Sequence, residues 1–178
     1  MKSTKDILTE LGACSEAVQW AGRKSHERTW NTCKRGDWLL WIAGKLGVDR
    51  KKLVLAACAC ARTVLKYIPA GEDRPRIATE TAEAWIKDEA TIAQVQAAAD
   101  AAADAAVCAA ARAAYAAANA AAYAAADAAA YAAAYAAAYA ASAAAHAAAR
   151  KDIADIVRKI IPFSVICKAI ADYENKEE

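Results

Sequence analysis

From Ala97 to Ala149 the chain is mostly alanine, and the larger residues interrupt it at a regular spacing. Asp100, Asp104, Cys108 and Arg112 step by four. After one step of three, Tyr115, Asn119, Tyr123, Asp127, Tyr131, Tyr135 and Tyr139 again step by four, and a further step of three leads to Ser142, His146 and Arg150. Alanine is the best helix former, and the run holds no Gly or Pro, so the spacing predicts helix throughout. Residues four apart are neighbours on a helix, so nearly all the larger side chains fall near one stripe and the remaining surface is methyl groups. Six steps of four, from Tyr115 to Tyr139, drift roughly 240° around an ideal helix unless it coils right-handed. A single rod of this length would span roughly 80 Å. Two helices are therefore expected, with a break near Asn119, Asp127 or Ser142. Methyl faces allow close helix–helix approach, which places the segment at the centre of a helical assembly and predicts a homo-oligomer.

The larger apolar residues sit on either side of this run, also at helical spacing. Ser3 or Thr4 can cap a first helix reaching about Trp20, with Ile7, Leu8, Leu11, Cys14, Ala17 and Val18 on one face and Gly22 as its stop. Residues 22–36 are polar and basic, which predicts a loop with a short helix. Asp37 is expected to cap the helix of Trp38, Leu39, Leu40, Trp41 and Ile42, closing at Gly44 or Gly47. Asp49 caps a third helix, Lys51 to Ile68, stopped by Pro69. Its centre, Leu53 to Ala61, is apolar on all sides, as in a buried helix. Arg62 follows directly and needs a partner, for which Asp73 is a candidate. Asp73, with Pro75 near the first helical position, starts a fourth helix that runs through Trp85. Asp88 then begins the alanine segment. Beyond it, Lys151 to Ile161 is amphipathic, Pro162 breaks it, and Phe163 to Tyr173 forms a last helix. No stretch alternates with period two long enough for a sheet. The expected fold is all-α, a bundle of roughly seven or eight helices with long alanine-rich helices at its centre. The chain reads as one domain over 1–178: Trp- and Arg-bearing helices at 1–87, the alanine-rich segment at 88–150 and amphipathic helices at 151–178.

Composition narrows the function classes. The 58% apolar content is dominated by alanine, which buries little area, and the net charge of +2 does not suggest a nucleic-acid binder. Charge is uneven: residues 1–87 are basic on balance, compatible with an anionic ligand. The six cysteines have no metal-type spacing, so they read as reduced thiols of a cytoplasmic protein. Residues 128–149 are uncharged, but alanine is close to neutral for membrane insertion and His146 lies inside the run, so no membrane span is expected.

The chain offers no complete catalytic set, and a non-enzyme is expected. His26 sits in the basic loop, in a solvated or capping role. Ser142 and His146 are one turn apart but lack an oxyanion site and a third member. Asp100 and Asp104 are paired carboxylates without further ligands for a metal, and no cofactor is implied. What remains is an inventory for binding. Arg62, Arg74 and Arg76 gather around one helix–helix junction, and arginine's planar fork suits phosphate. Trp38, Trp41, Trp85 and the tyrosine ladder offer flat faces for stacking a base. The stripe adds Asp104, Arg112, Tyr115, Asn119 and His146 to the candidate ligand-binding set. The tyrosine ladder suits packing against alanine faces as well as lining a pocket.

Four stretches carry a family resemblance: Cys33-Lys34-Arg35-Gly36-Asp37-Trp38-Leu39-Leu40-Trp41, Ala59-Cys60-Ala61-Arg62, Asp73-Arg74-Pro75-Arg76 with Thr81-Ala82-Glu83-Ala84-Trp85, and the alanine run itself. Together, over roughly residues 10–150, they resemble the α-helical immunity proteins of bacterial polymorphic-toxin systems and related uncharacterised phage proteins. In that family histidine and arginine are commoner in the alanine segment, where tyrosine stands at most positions here. The resemblance implies neutralisation by binding in the bacterial host cytoplasm. Because the special residues fall on buried helices, the sequence favours a pocket for a small phosphorylated, nucleotide-like ligand. The expected role is a phage-type sponge that sequesters a nucleotide-derived immune signal; the alternative is an immunity protein bound to a toxin protein.

Overall fold

Ser3 opens the first helix, accepting from the Asp6 N–H while Asp6 reaches back to the Ser3 N–H, a reciprocal pair that satisfies two otherwise unpaired donors. The computed structural model describes residues 2–63, 65, 71–104 and 147–175. Among them run nine helices and no strand: α1 Thr4–Glu10, α2 Ser15–Ala21, α3 His26–Thr32, α4 Gly36–Lys45, α5 Arg50–Arg62, α6 Arg74–Ile86, α7 Ile92–Asp104, α8 Ala147–Ile160 and α9 Phe163–Glu174. The fold is all-α. The alanine-rich residues 105–146, with the tyrosine ladder, the expected break and the face expected to drive self-association, lie outside the described residues.

Several boundaries differ from the sequence expectation, each for a local reason. The first helix does not reach Trp20. It stops at Leu11, because Gly12 adopts φ +78° and lets the Ala13 N–H reach the Leu8 carbonyl at 2.8 Å. Two short helices result, and the bend turns α2 back onto α1. Asp37 is not the cap of α4. The helix begins at Gly36, and the Asp37 carboxylate instead takes the Arg35 guanidinium at 2.8 and 2.5 Å. Asp49 does cap α5, accepting from the Lys52 N–H at 3.1 Å. That helix ends at Arg62, however, where Thr63 turns its hydroxyl onto the Cys60 carbonyl. Asp88 closes α6 with φ +63° rather than opening the alanine segment. α7 starts three residues later in a reciprocal Thr91–Gln94 pair, at 2.7 and 3.3 Å.

The core forms where α4, α5 and α8 meet. Leu40, Ala43, Val54, Ala57, Val157 and Ile161 are fully buried there. α5 is not buried on every side: Leu55, 41% exposed, lies on an outward stripe with Lys52 and Arg62. α5 and α6 run antiparallel, tied by Lys51–Asp88 at 2.6 Å near one end and by the Cys58 thiol against the Thr79 carbonyl further along. α6 packs on α7 through Ala78, Ala99 and Ala102, all fully buried. Among the described residues no helix is long and apolar enough to cross a membrane.

The contact between α4 and α8 depends on a missing side chain. A Cβ on Gly36 would overlap Ile153 Cγ2 and sit 3.1 Å from the Ala154 nitrogen. Gly→Ala in a helix ordinarily stabilises. Here Gly36→Ala should instead destabilise by about 1–3 kcal/mol, because the obstruction includes backbone. Urea unfolding followed by circular dichroism checks the sign; a more stable variant would show that the helices approach less closely.

Candidate functional site

Four of the five tryptophans border one cavity. Its volume is about 410 Å³, within the range of about 300–1,000 Å³ usual for small-molecule sites, and its walls come from α1, α2, α3, α4 and α9. Trp20 comes from α2, Trp30 from α3, and Trp38 and Trp41 from one face of α4, where a spacing of three makes them neighbours. The Trp20 and Trp38 rings lie 6.1 Å apart, tilted by 60°. Ile7, Leu8, Ile166 and Ile170 add aliphatic wall. The cavity reaches the surface beside Gly12 and Cys14, both exposed.

Three cations sit over three of these rings. Lys24 Nζ is 4.4 Å from the Trp20 centroid, Arg35 Cζ 4.6 Å from Trp38 and Lys45 Nζ 5.8 Å from Trp41. All are within the reach of cation–π attraction. Arg35 is also held by Asp37, which raises its pKa and fixes the guanidinium in place. Lys24 donates to the Trp20 carbonyl as well. Among the described residues, neither Lys24 nor Lys45 has a carboxylate partner.

The polar groups of the wall divide into satisfied and unsatisfied. His26 is not simply solvated. Its Nδ1 lies 3.0 Å from Thr4 Oγ1 and its Nε2 3.1 Å from the Lys2 carbonyl, which ties the start of the chain to α3. The Lys2 N–H in turn donates to Glu174 on α9 at 2.5 Å. In contrast, Thr29 Oγ1 and Trp30 Nε1 are buried with no hydrogen-bond partner among the described residues. Cys33, also on the wall, is buried, and burial pushes its thiol up. Cys58 and Cys60 lie in the core, where burial raises both thiols, Cys60 to about 12. Among the described residues all five cysteines are free, with Cys14 and Cys167 exposed.

The sequence-derived candidates are distributed differently. Of them, Trp38 borders the cavity. Trp85 is half-buried and packs on the core away from it. Arg62 pairs with Glu83 at 2.6 and 2.5 Å, not with Asp73, because the antiparallel α6 brings Glu83 alongside it. Arg74 takes both oxygens of Glu72, and Arg76 bridges Asp73 at 3.0 Å and Glu80 at 2.9 Å. Three arginines thus face four carboxylates, so a phosphate arriving there would have to displace them. The Asp104 side chain, Arg112, Tyr115, Asn119 and His146 lie outside the described residues. Sequence reading missed Trp20, Trp30, Thr29, Lys24 and Lys45. One of these carried a signal: Lys45 follows Trp41 by four within α4, the spacing that sets a cation over a ring on a helix, whereas Lys24 lies beyond the Gly22 stop of α2.

A scan against protein-family models finds no match, and neither curated proteins nor solved structures give one.

The Arg74 pair has a pH signature. Hydrogen bonds from its side chain hold the Glu72 carboxyl down at about 2. A depressed carboxyl stabilises the fold above its unfolded pKa, and that contribution is lost as pH falls through about 2. In carbon-detected NMR, Glu72 should titrate near 2, and Arg74→Ala should return it to the ordinary glutamate range. An unshifted Glu72 in the wild type would contradict the pair with Arg74.

Proposed function

We propose that this protein is a non-catalytic binder that neutralises by sequestration, a phage-type sponge for a small phosphorylated nucleotide-derived immune signal. We seat the ligand in the tryptophan-lined cavity. The observation that carries this reading is that cavity: about 410 Å³, bordered by four indoles, three of which carry a cation over the ring. Indole faces stack on a flat heterocycle whatever its substituents, a contribution of roughly 1–3 kcal/mol per base. Lys24 and Lys45, each over a ring that borders the cavity, supply positive charge without first surrendering a carboxylate. The arginines of the α5–α6 junction would have to exchange one anion for another, with little net gain. A sponge needs affinity, which an apolar aromatic seat with cations over its rings supports.

A second reading, an immunity protein that binds a toxin, draws support from Leu55 and Ile77. These two large apolar side chains, on the adjacent helices α5 and α6, are 41% and 46% exposed. They would serve a protein partner rather than a small molecule.

The two readings separate in native mass spectrometry of protein purified from bacteria. The sponge reading expects a phosphorylated heterocycle near one per chain, released by heat, with occupancy reduced about tenfold or more in a Lys24→Ala/Lys45→Ala double variant. In the loaded protein, iodoacetamide should spare Cys14, at the cavity edge, and still modify Cys167. An unliganded mass, together with no thermal shift from a panel of cyclic and linear nucleotides, sinks the sponge and favours the protein partner.

A further inference from the structure

Beside the cavity, one hydroxyl proton has two acceptors to serve. Thr4 Oγ1 lies 2.9 Å from the Lys24 carbonyl and 3.0 Å from His26 Nδ1, and His26 Nε2 lies 3.1 Å from the Lys2 carbonyl. Thr4 and His26 both border the cavity. A carbonyl oxygen only accepts, so the Lys2 contact is a hydrogen bond only when Nε2 carries a proton. A hydroxyl can accept, but it donates only once. If Thr4 donates to Lys24, Nδ1 must donate to Thr4, and the ring holds two protons. If the ring holds one proton, on Nε2, the Nδ1 lone pair takes the Thr4 proton, and the Lys24 carbonyl faces an oxygen with none to give. All three contacts are hydrogen bonds together only on the imidazolium.

Nearby charges are engaged elsewhere. Lys2 Nζ pairs with Glu10 and lies over the Tyr173 ring, Glu174 of α9 takes the Lys2 N–H, and Asp6 of α1 takes Ser3. On the cavity wall Asp37 takes Arg35, burial keeps the Cys33 thiol protonated, and Glu27, the next residue of α3, is exposed. Both ring nitrogens meet neutral oxygens, and among the described residues no carboxylate pairs with the ring. Lys24 sits between the Gly22 stop of α2 and the Ser25 cap of α3, held by its own N–H on the Ala21 carbonyl at 3.0 Å and by Thr4. Its ammonium is the cation over Trp20.

We propose that His26 and Thr4 form a pH-sensitive latch on the cavity: a proton on Nδ1 turns the Thr4 hydroxyl onto the Lys24 carbonyl and fixes the segment that sets Lys24 over Trp20, and loss of that proton releases it. Histidine is the side chain whose charge ordinarily changes between about pH 5 and 8. The latch closes as pH falls, and the same proton adds positive charge to the cavity wall. It belongs to the chain itself, whatever the cavity holds.

The test is an NMR titration of the labelled, unliganded chain between about pH 5 and 8. His26→Gln identifies the His26 ring signals among those of the two histidines. At the low end both ring nitrogens should resonate as an imidazolium; at the high end the remaining proton should sit on Nε2. The Lys24 carbonyl ¹³C signal and the Trp20 indole N–H signal should follow the same midpoint, while Trp85 stays in place. Thr4→Val keeps the side-chain shape and removes the hydroxyl. It should leave the ring titrating and abolish the Lys24 response, which separates the hydroxyl from the field of the ring charge; Thr4→Ser should restore that response. If Thr4→Val does not fold by circular dichroism, the wild-type ring and Lys24 signals decide. A neutral ring with its proton on Nδ1, a ring that never takes the second proton in this range, or a Lys24 response that survives in Thr4→Val overturns the latch.

Discussion

One guanidinium holds the cavity wall to the rest of the protein. Arg158, on α8, donates to the Trp30 carbonyl at 3.2 Å and to the Cys33 carbonyl at 2.7 Å, while its other nitrogen takes Asp155 at 2.6 Å. α3 has seven residues, too few for a helix to persist alone in water. Its last carbonyls would otherwise face the interior unpaired. A cation at that end satisfies them and complements the helix dipole, with each charge-assisted bond contributing roughly 1.5–3 kcal/mol. It anchors the backbone of Trp30 and Cys33, whose side chains the apolar core also buries. Arg158 is itself fixed by the apolar stripe of α8, where Ile153, Ala154 and Val157 are essentially inaccessible and face α4 and α5, with Ile161 buried just past the helix end. The candidate site at the front of the chain thus depends on residues near its end.

The cations fall into two groups with different physical roles. Arg62, Arg74 and Arg76 are matched to carboxylates on or beside α6, and their work is to join α5 to α6 and to brace the start of α6. They are nearly half exposed, so each pair contributes little by itself. Lys24 and Lys45 lie on indole faces instead, whereas Arg35 lies over Trp38 and is paired with Asp37 as well. An aromatic face holds a cation weakly and does not neutralise it, so the charge of the two lysines remains for a ligand. The same arithmetic moves the proposed phosphate contact from the arginine junction to the cavity rim.

How much of this was legible depended on how local the cause was. Helical period, the Asp49 cap and the Pro162 break all lie within a few residues of what they determine, and the corresponding elements appear where the pattern places them. The stop at Gly12 was also local: a glycine after a leucine at the end of an amphipathic stretch is a left-handed cap, and the continuing apolar face concealed it. The partner of Arg62 was not local, since it follows from α6 packing antiparallel on α5. Trp30 was the least legible. Its loop-like surroundings, rich in Arg and Lys, give no sign of burial, and its position is set by an arginine 128 positions away. Lys45 was within reach of sequence reasoning, because it follows Trp41 by four inside one helix, while Lys24 lies past the Gly22 stop and its place over Trp20 was not. A search for charge clusters alone favoured the arginines.

The central claim is that ligand contacts indole rings and not the arginine junction, and the five indole N–H signals report this directly. In ¹H–¹⁵N spectra of labelled protein titrated with a panel of cyclic and linear nucleotides, the Trp20, Trp30, Trp38 and Trp41 signals should move together. The Trp85 signal and the Nε–H signals of Arg62, Arg74 and Arg76 should stay in place. Movement of the arginine signals with stationary indoles, or of Trp85 alone, would contradict the account.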